Sequence, residues 1–261
     1  MKIKFLSICL ILVVLFALTG CANEKGSSEN KITTRNSTSK STNQTKQESL
    51  FDDIDFKTAA EKQMSMPEDG ETIAIMHVKN FGDIKFKFFE EVAPKAVENF
   101  LTHAKDGYYN GVTFHRVINE FMIQGGDPTA TGAGGESIWG ENFQAEVDYN
   151  YVPYRGSLCM ASSSLGIGSQ FFITQANYSE EQENALESAG YPEMLIEQYK
   201  NYGGYIGLYM QYTVFGQVFE GMDVVDKIAA VETELSSSNE MSKPVEEVVI
   251  ENIEVTTYKS N

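Results

Sequence analysis

Alternation between apolar and polar residues predicts a series of short β-strands through most of the chain. Residues 72–78 and 84–88 alternate as half-buried strands do, and the turn at residues 81–83 between them predicts a hairpin. Six more strand-like pieces follow, separated by glycines and polar turns, at residues 112–117, 121–124, 157–161, 171–175, 213–218 and 245–255. Many short strands with few helices between them predict an antiparallel barrel.

Two stretches have instead the spacing of an amphipathic helix, with apolar residues three and four positions apart. The first begins at Pro94, a residue that the first helical turn tolerates, and ends at Gly107. The second covers residues 222–231. We expect these two helices to cap the barrel.

The strand pattern is interrupted at about residues 177–206, where Glu, Gln, Leu, Ala and Tyr dominate. Ser179 followed by Gln182 fits a helix capping box, and Pro192 separates two helix-like pieces. We interpret this segment as a helical insertion between two strands. Long insertions in compact domains are usually either functional or protruding surface elements.

The chain opens with a short basic region and an apolar run at residues 5–18 that is too short to cross a membrane, which needs about 20 residues. The run ends in Leu18-Thr19-Gly20-Cys21, which resembles the lipobox of bacterial lipoproteins. The resemblance implies a signal peptide at residues 1–20 and lipidation of Cys21, with the protein held at the extracytoplasmic face of a bacterial membrane. An ordinary secretory signal with a chance cysteine is the alternative.

Polar residues dominate from residue 22 to about residue 49, where Ile32 is the only large apolar side chain. Such a segment cannot bury enough surface to offset its chain entropy. We therefore expect residues 21–50 to be a lipidated, disordered tether with a span on the order of 30 Å. Residues 51–261 are expected to be the folded domain.

Composition narrows the classes of function. The 261 residues have a net charge of −17, and residues 1–50 hold seven of the 20 basic side chains but only three of the 37 acidic ones. The rest of the chain is therefore still more acidic, which argues against a nucleic-acid partner. Three cysteines make no disulfide framework, and three histidines without paired cysteines give no expectation of a metal site.

The candidate chemistry is concentrated in five stretches, FHRVI at residues 114–118, FMIQGGDP at 121–128, GSLCMA at 156–161, GSQFFIT at 168–174 and YTVFGQV at 212–218. Together they closely resemble the cyclophilin family of peptidyl-prolyl cis-trans isomerases, over residues 72–255 apart from the insertion. The resemblance implies a mainly β fold, a closed eight-stranded antiparallel β-barrel capped by two helices. It also implies isomerisation of X-Pro bonds without a cofactor.

The residues suit that chemistry. Twisting an amide costs about 18–20 kcal/mol, and no covalent step is needed to lower this barrier. A pocket for the proline ring and a hydrogen-bond donor to the twisted amide suffice, and exclusion of water strengthens the donor. In the family, the arginine of the Phe-His-Arg motif is this donor, which here is Arg116, and Gln124 matches the amide that orients Arg116 and the substrate backbone.

Eight further residues match the family's substrate groove: Phe121, Met122 and Phe172 as the apolar floor, Ala161 and Ser162 beside the residue before proline, Gln170 at the edge, Leu208 in the wall, and Tyr212 capping the ring. The family usually has Asn in place of Ser162, and many eukaryotic members have His in place of Tyr212. A Trp near the wall, which governs cyclosporin affinity in the family, is replaced by Gly207 or absorbed into the insertion. We therefore expect weak cyclosporin binding.

These observations predict an isomerase that acts on proline-containing exported polypeptides, is attached to the membrane by its lipid, and is a monomer. The alternative is a prolyl-peptide-binding chaperone or an adhesin-like surface module in which catalysis is incidental; the intact pocket residues favour the enzyme. His115 is expected to be structural, since isomerisation needs no proton transfer. Cys159, flanked by apolar residues, is expected to be a small buried side chain.

Overall fold

Eight of the ten strands found between residues 51 and 260 form one antiparallel sheet. The computed structural model describes residues 51–260, so the predicted signal peptide, the lipidated Cys21 and the tether at 21–50 lie outside the described residues. The strands in chain order are β1 (Thr72–Val78), β2 (Gly82–Phe88), β3 (Arg116–Ile118), β4 (Met122–Gly125), β5 (Ser157–Met160), β6 (Phe171–Thr174), β7 (Val214–Glu220), β8 (Thr233–Leu235), β9 (Met241–Pro244) and β10 (Ile250–Thr257). All except β8 and β9, which pair as a separate hairpin, belong to the sheet. The prediction of eight antiparallel strands is confirmed.

The closed barrel is wrong, because the sheet is an open half-barrel. Its strand order is β10-β1-β2-β7-β5-β6-β4-β3, and the two edge strands do not pair with each other. One isolated bridge joins Thr113 to Val249 near this seam. The chain between Thr113 and Arg116 is irregular, so the ladder does not continue into β3. Three backbone hydrogen bonds, from the N–H groups of Gly111, Phe114 and Ile250 to the carbonyls of Ile250, Val248 and Val112, hold residues 111–114 against residues 248–250. The seam is therefore crossed by a short irregular segment rather than closed by pairing of the two edge strands.

Within the described residues, five α-helices accompany the strands: α1 (Phe56–Met64), α2 (Pro94–Lys105), α3 (Glu180–Ala189), α4 (Glu193–Tyr202) and α5 (Met222–Ala229). The helices α2 and α5 are the two amphipathic helices expected from the sequence, whereas α3 and α4 form the expected insertion. Neither α1 nor the β8–β9 hairpin was predicted from the sequence. Among residues 51–260, every helix is too short or too polar to cross a bilayer.

Strand alternation sorts the side chains of the sheet between two faces. One face points into the main core, together with the apolar sides of α2 and α5; this core includes Val117, Ile123, Leu158, Ile173, Phe100 and Val225. The other face carries a smaller buried cluster of Phe89, Met122, Tyr151, Cys159, Phe172, Leu208 and Val214. Cys159 is fully buried there, as its apolar flanks predict.

The insertion shares a third buried cluster with α1, including Phe56 and Ala60 of α1 and Leu195 and Tyr199 of α4. Ser179 caps α3 by accepting a hydrogen bond from the backbone N–H of Gln182 at 3.3 Å. The reciprocal half of a capping box is absent from α3, because the Gln182 side chain donates to the Asn177 carbonyl instead.

Two buried polar side chains tie α1 to the rest of the domain. Gln63 of α1 is fully buried, donates to the Val152 carbonyl at 2.7 Å and accepts from the Val152 N–H at 3.0 Å. Lys87 of β2 is 6% exposed, and its Nζ donates to the Lys62 carbonyl and to Ser65 Oγ, each at 3.0 Å. Burial lowers the pKa of Lys87. Gln63 and the two acceptors of Lys87 lie at the C-terminal end of α1. Carbonyls at the end of a helix have no donor within the helix, and Lys87 supplies one to the Lys62 carbonyl.

Candidate active site

A row of directly opposed residues crosses four neighbouring strands of the sheet. Arg116 of β3 lies opposite Gln124 of β4, Gln124 lies opposite Phe172 of β6, and Phe172 lies opposite Cys159 of β5. Directly opposed residues share one face of a sheet, here the face away from the main core. Met122, two residues before Gln124, lies on the same face. The strand register therefore brings together candidate residues that are far apart in sequence.

A cavity of about 100 Å³ opens on this face, and it is lined by Arg116, Phe121, Met122, Gln124, Ala161, Ser162, Phe172, Leu208 and Tyr212. Water occupies about 30 Å³ in the liquid, so the cavity has room for about three water molecules or one small ring. Every residue predicted from the sequence to bind or convert substrate lines this cavity except Gln170, which contacts Gln124. A larger cavity of about 600 Å³, between residues 79–81, 231–232 and 245–249, shares none of these residues.

The base of the pocket is apolar and its rim is polar. Met122, Phe172 and Leu208 are each less than 7% exposed. The Tyr212 ring meets Phe172 edge-on, with 5.2 Å between ring centroids. Phe121 is half-buried and lies under the Arg116 guanidinium, 5.6 Å from its ring centroid. A ring seated on this base would therefore be next to the guanidinium.

A chain of hydrogen bonds leads from Arg116 into the neighbouring loop. Arg116 Nη1 donates to Gln124 Oε1 at 3.3 Å, and Gln124 Nε2 donates to Gln170 Oε1 at 2.9 Å. Gln170 Nε2 then donates to the carbonyls of Gly132 and Gly134, at 3.1 and 2.8 Å. Arginine can only donate, so Gln124 must turn its oxygen toward Arg116 and its nitrogen toward Gln170. Arg116, at one end of this series of hydrogen bonds, thus sets the orientation of the Gln124 and Gln170 side-chain amides.

The loop that receives this chain is folded around Asp127. The buried carboxylate accepts hydrogen bonds from the backbone N–H groups of Thr129, Gly132 and Gly134, at 2.8, 2.8 and 3.1 Å. Burial alone would raise the pKa of Asp127, but the hydrogen bonds outweigh burial and lower the pKa to about 2. The carboxylate is therefore charged at neutral pH and organises the loop beside Gln170.

Glu240, the acidic partner of Arg116, was not predicted from the sequence. Arg116 Nε donates to Glu240 Oε2 at 2.7 Å, and Nη2 donates to Oε1 at 2.9 Å. The hydrogen bonds from Arg116 lower the pKa of Glu240. Glu240 lies in the β8–β9 connection, 124 residues from Arg116. No local pattern around either residue indicates this contact.

Tyr205, in the last part of the insertion, was also missed. Its ring packs against Phe121 with 4.7 Å between centroids. The structural role expected of His115 stays a prediction. Burial lowers its pKa, and neither of its buried ring nitrogens has a hydrogen-bond partner among the described residues.

Comparison with known proteins gives a consistent result. Residues 73–255 match the family described as "Cyclophilin type peptidyl-prolyl cis-trans isomerase/CLD". A Staphylococcus saprophyticus protein named "Putative peptidyl-prolyl cis-trans isomerase" is 46% identical over 195 residues, which cover 74% of this chain and 96% of the relative. A Staphylococcus aureus (strain USA300) protein of the same name is 46% identical over 190 residues, 72% of this chain and 93% of the relative.

Solved structures agree. A cyclophilin type peptidyl-prolyl cis-trans isomerase of Cryptosporidium parvum is 31% identical, with a TM-score of 0.57 over 73% of this chain and 99% of the other. A second structure of that protein, in the presence of the dipeptide Ala-Pro, has a TM-score of 0.55 and 33% identity over 72% of this chain and 99% of the other.

Proposed function

Since this chain belongs to the cyclophilin family and is a peptidyl-prolyl cis-trans isomerase, we propose that it acts on X-Pro bonds of exported or surface polypeptides, with Arg116 as the group that stabilises the twisted amide. One observation carries the role of Arg116. Its Nη1 lies beside Gln124 at the edge of a small apolar pocket, where a prolyl ring would fit against Met122 and Phe172.

The proposed mechanism is noncovalent. In the planar X-Pro amide, the nitrogen lone pair is delocalised, and this conjugation accounts for the barrier of about 18–20 kcal/mol. When the bond twists, the nitrogen becomes pyramidal and the lone pair localises on it. A donor that hydrogen-bonds the twisted form more strongly than the planar form lowers the barrier. Arg116, permanently charged and partly shielded from water, is such a donor.

The pocket holds one side of the bond while the other side turns. Met122, Phe172 and Leu208 provide an apolar surface for the prolyl ring. Gln124 is held between Arg116 and Gln170, so its amide is fixed in one orientation toward the substrate backbone. Ala161 and Ser162 at the mouth would contact the residue before proline. The X residue is then free to rotate about the immobilised proline.

Replacing Arg116 by Ala tests the mechanism. We expect kcat/KM for an X-Pro peptide to fall roughly 10²–10³-fold, as when a single transition-state donor is removed elsewhere. Lys227→Ala is a matched control, since Lys227 forms an exposed ion pair with Asp223 on α5 and lines no part of the pocket. Equal activity of the two variants in a protease-coupled isomerisation assay would contradict the role of Arg116.

The proposed location rests on the lipobox-like residues 18–21 and the polar segment after them. A Cys21→Ala variant is expected to leave the membrane fraction or to remain an unprocessed precursor, while its isomerase activity is unchanged. Metabolic labelling with palmitate should mark the parent chain and not the variant. Labelling of both chains, or of neither, would overturn the lipid anchor without touching the assignment of the enzyme.

A further inference from the structure

The β8–β9 hairpin places a carboxylate against the side of Arg116 that faces away from the pocket. Thr233–Leu235 and Met241–Pro244 pair as antiparallel strands, and Glu240 lies in the connection between them. The Glu240 carbonyl accepts from the Ser236 N–H at 2.8 Å, and the Glu240 N–H donates to Ser236 Oγ at 3.3 Å. Asn239 has a φ of 63°, a left-handed conformation that Asn tolerates. The backbone of Glu240 is thus anchored on both of its polar groups.

The contact between Glu240 and Arg116 is bidentate. It uses Nε and Nη2 of the guanidinium, at 2.7 and 2.9 Å, and the two carboxylate oxygens each accept one hydrogen bond. The two side chains are about one third exposed, 32% for Arg116 and 38% for Glu240. A paired fork of this kind fixes both the position and the plane of a guanidinium.

This pairing decides which nitrogen faces the pocket. With Nε and Nη2 occupied by Glu240, Nη1 is left beside Gln124 Oε1 at 3.3 Å and Met122 Sδ at 3.7 Å. Within residues 51–260, Glu240 is the single charged partner of Arg116. The other contacts of the guanidinium are the Gln124 amide, the Met122 sulfur and the Phe121 ring, and none of these fixes the plane of a long side chain as a bidentate carboxylate does.

We propose that Glu240 is a positioning residue for Arg116, which it holds with Nη1 directed at the prolyl pocket. This inference rests on the proposed role of Arg116 as the donor to the twisted amide. Glu240 does not itself line the pocket, and among the lining residues it hydrogen-bonds only Arg116, so its effect passes through Arg116. Its removal lowers the fraction of time that Nη1 spends in the productive orientation, and so lowers kcat while KM stays near its original value.

The test compares two carboxylates of the same hairpin. Glu240→Ala is expected to lower kcat about tenfold with KM nearly unchanged. Glu234→Ala is the control, because Glu234 forms an exposed ion pair with Lys243 across the same two strands and does not contact Arg116. Thermal unfolding of each variant reports whether the hairpin remains folded. In ¹⁵N spectra, the Arg116 Nε–H signal should be protected from exchange in the parent chain and in Glu234→Ala, and should broaden in Glu240→Ala.

A double-mutant cycle separates this inference from the proposed function. If Glu240 acts through Arg116, adding Glu240→Ala to Arg116→Ala causes no further loss of kcat. A full additional tenfold loss would overturn the positioning role, as would a Glu240→Ala enzyme with the same or higher kcat than Glu234→Ala. If the Arg116→Ala variant retained full activity, the proposed role of Arg116 would be wrong. The Arg116→Ala single variant alone gives that result, so it is distinguishable from a failure of the positioning role of Glu240.

Discussion

Tyr205 packs edge-on against Phe121, with 4.7 Å between ring centroids and 60° between ring planes. Tyr205 lies at the end of the insertion, and Phe121 lines the pocket. The 3₁₀ turn that follows Tyr205 contains Leu208, which lines the same pocket. The insertion therefore contacts the candidate active site and is more than a surface decoration.

Replacing Tyr205 by Ala is expected to lower kcat/KM roughly 2–10-fold, because Phe121 loses an aromatic contact worth about 0.5–1.5 kcal/mol. Tyr205→Phe keeps the ring and is expected to match the parent chain. Steady-state kinetics on one X-Pro peptide measures both variants. If Tyr205→Ala and Tyr205→Phe were equally active, the insertion would have no influence on the pocket through this contact.

Removing Gln63 is expected to lower the free energy of unfolding by about 1–3 kcal/mol, because the buried Val152 N–H would lose its partner. The Val152 carbonyl would lose one donor but would keep the Tyr154 N–H and Ser157 Oγ. Urea denaturation of Gln63→Ala measures the loss. Glu61→Ala, an exposed position on the same helix, is the control for helix propensity and should be close to neutral. Similar losses in the two variants would mean that the buried hydrogen bonds contribute little.

The Asp127 carboxylate predicts a loss of stability in acid. Its pKa is about 2 in the folded chain and about 3.9 in an unfolded one, so the unfolded state takes up the proton first as the pH falls. The stabilisation, roughly 2–3 kcal/mol, is complete above about pH 5 and disappears as the pH approaches 2. Asp127→Asn should unfold at lower temperature at neutral pH and show a weaker dependence of Tm on pH below 4. Asp148→Asn is the control and should keep the parent's acid dependence, because the Asp148 carboxylate accepts hydrogen bonds from the neighbouring Asn150 and organises no loop beside the pocket.

The Cys159 thiol is expected not to react with alkylating reagents in the folded protein. It is fully buried, and burial raises the pKa of its thiol, so the reactive thiolate is scarce. In a chain that begins at residue 22, Cys159 is the single cysteine. Mass spectrometry after treatment with a maleimide should show labelling in denaturant and none in buffer. Rapid labelling in buffer would mean that the buried cluster of Cys159, Met122 and Phe172 opens readily to solvent.

Cyclosporin is expected to bind weakly, with a dissociation constant in the micromolar range or above. The residue beside Leu208 is Gly207, and a Cβ built there would lie 2.7 Å from the Tyr205 ring, so the local structure leaves no space for a large side chain. Titration calorimetry measures the affinity, and turnover of an X-Pro peptide by the same sample shows that the pocket is intact. Nanomolar binding would contradict the expectation.

How far the sequence predicts this fold depends on how local each signal is. The alternation in residues 84–88 and the helical spacing after Pro94 are set by neighbouring residues, and both elements form where they were expected. Helix α1 was missed because one of its three buried positions is Gln63, a polar residue that interrupts the apolar stripe. The hairpin of β8 and β9 was missed because each strand has only three or four residues and its apolar residues Leu235 and Met241 are exposed.

The residues of the candidate site likewise fall into those that short motifs predict and those that only the folded structure brings together. Arg116, Gln124 and Phe172 could be named from short motifs, and the register of β3, β4 and β6 places them side by side. The contact between Glu240 and Arg116 joins two segments that meet only in the folded chain, so neither segment alone carries a sign of it. The open seam is a similar case, because it depends on the irregular residues between Thr113 and Arg116 rather than on any strand pattern.

The buried Lys87 has a consequence for where the enzyme begins. The family match starts at residue 73, yet both oxygen atoms that accept hydrogen bonds from Lys87 belong to residues 62 and 65. A fragment cut at the start of the family match would retain the ammonium group of β2 and lose the acceptors that make its burial tolerable. The smallest self-sufficient unit therefore extends upstream of the family match to include α1, and attempts to isolate the catalytic domain should begin no later than residue 51.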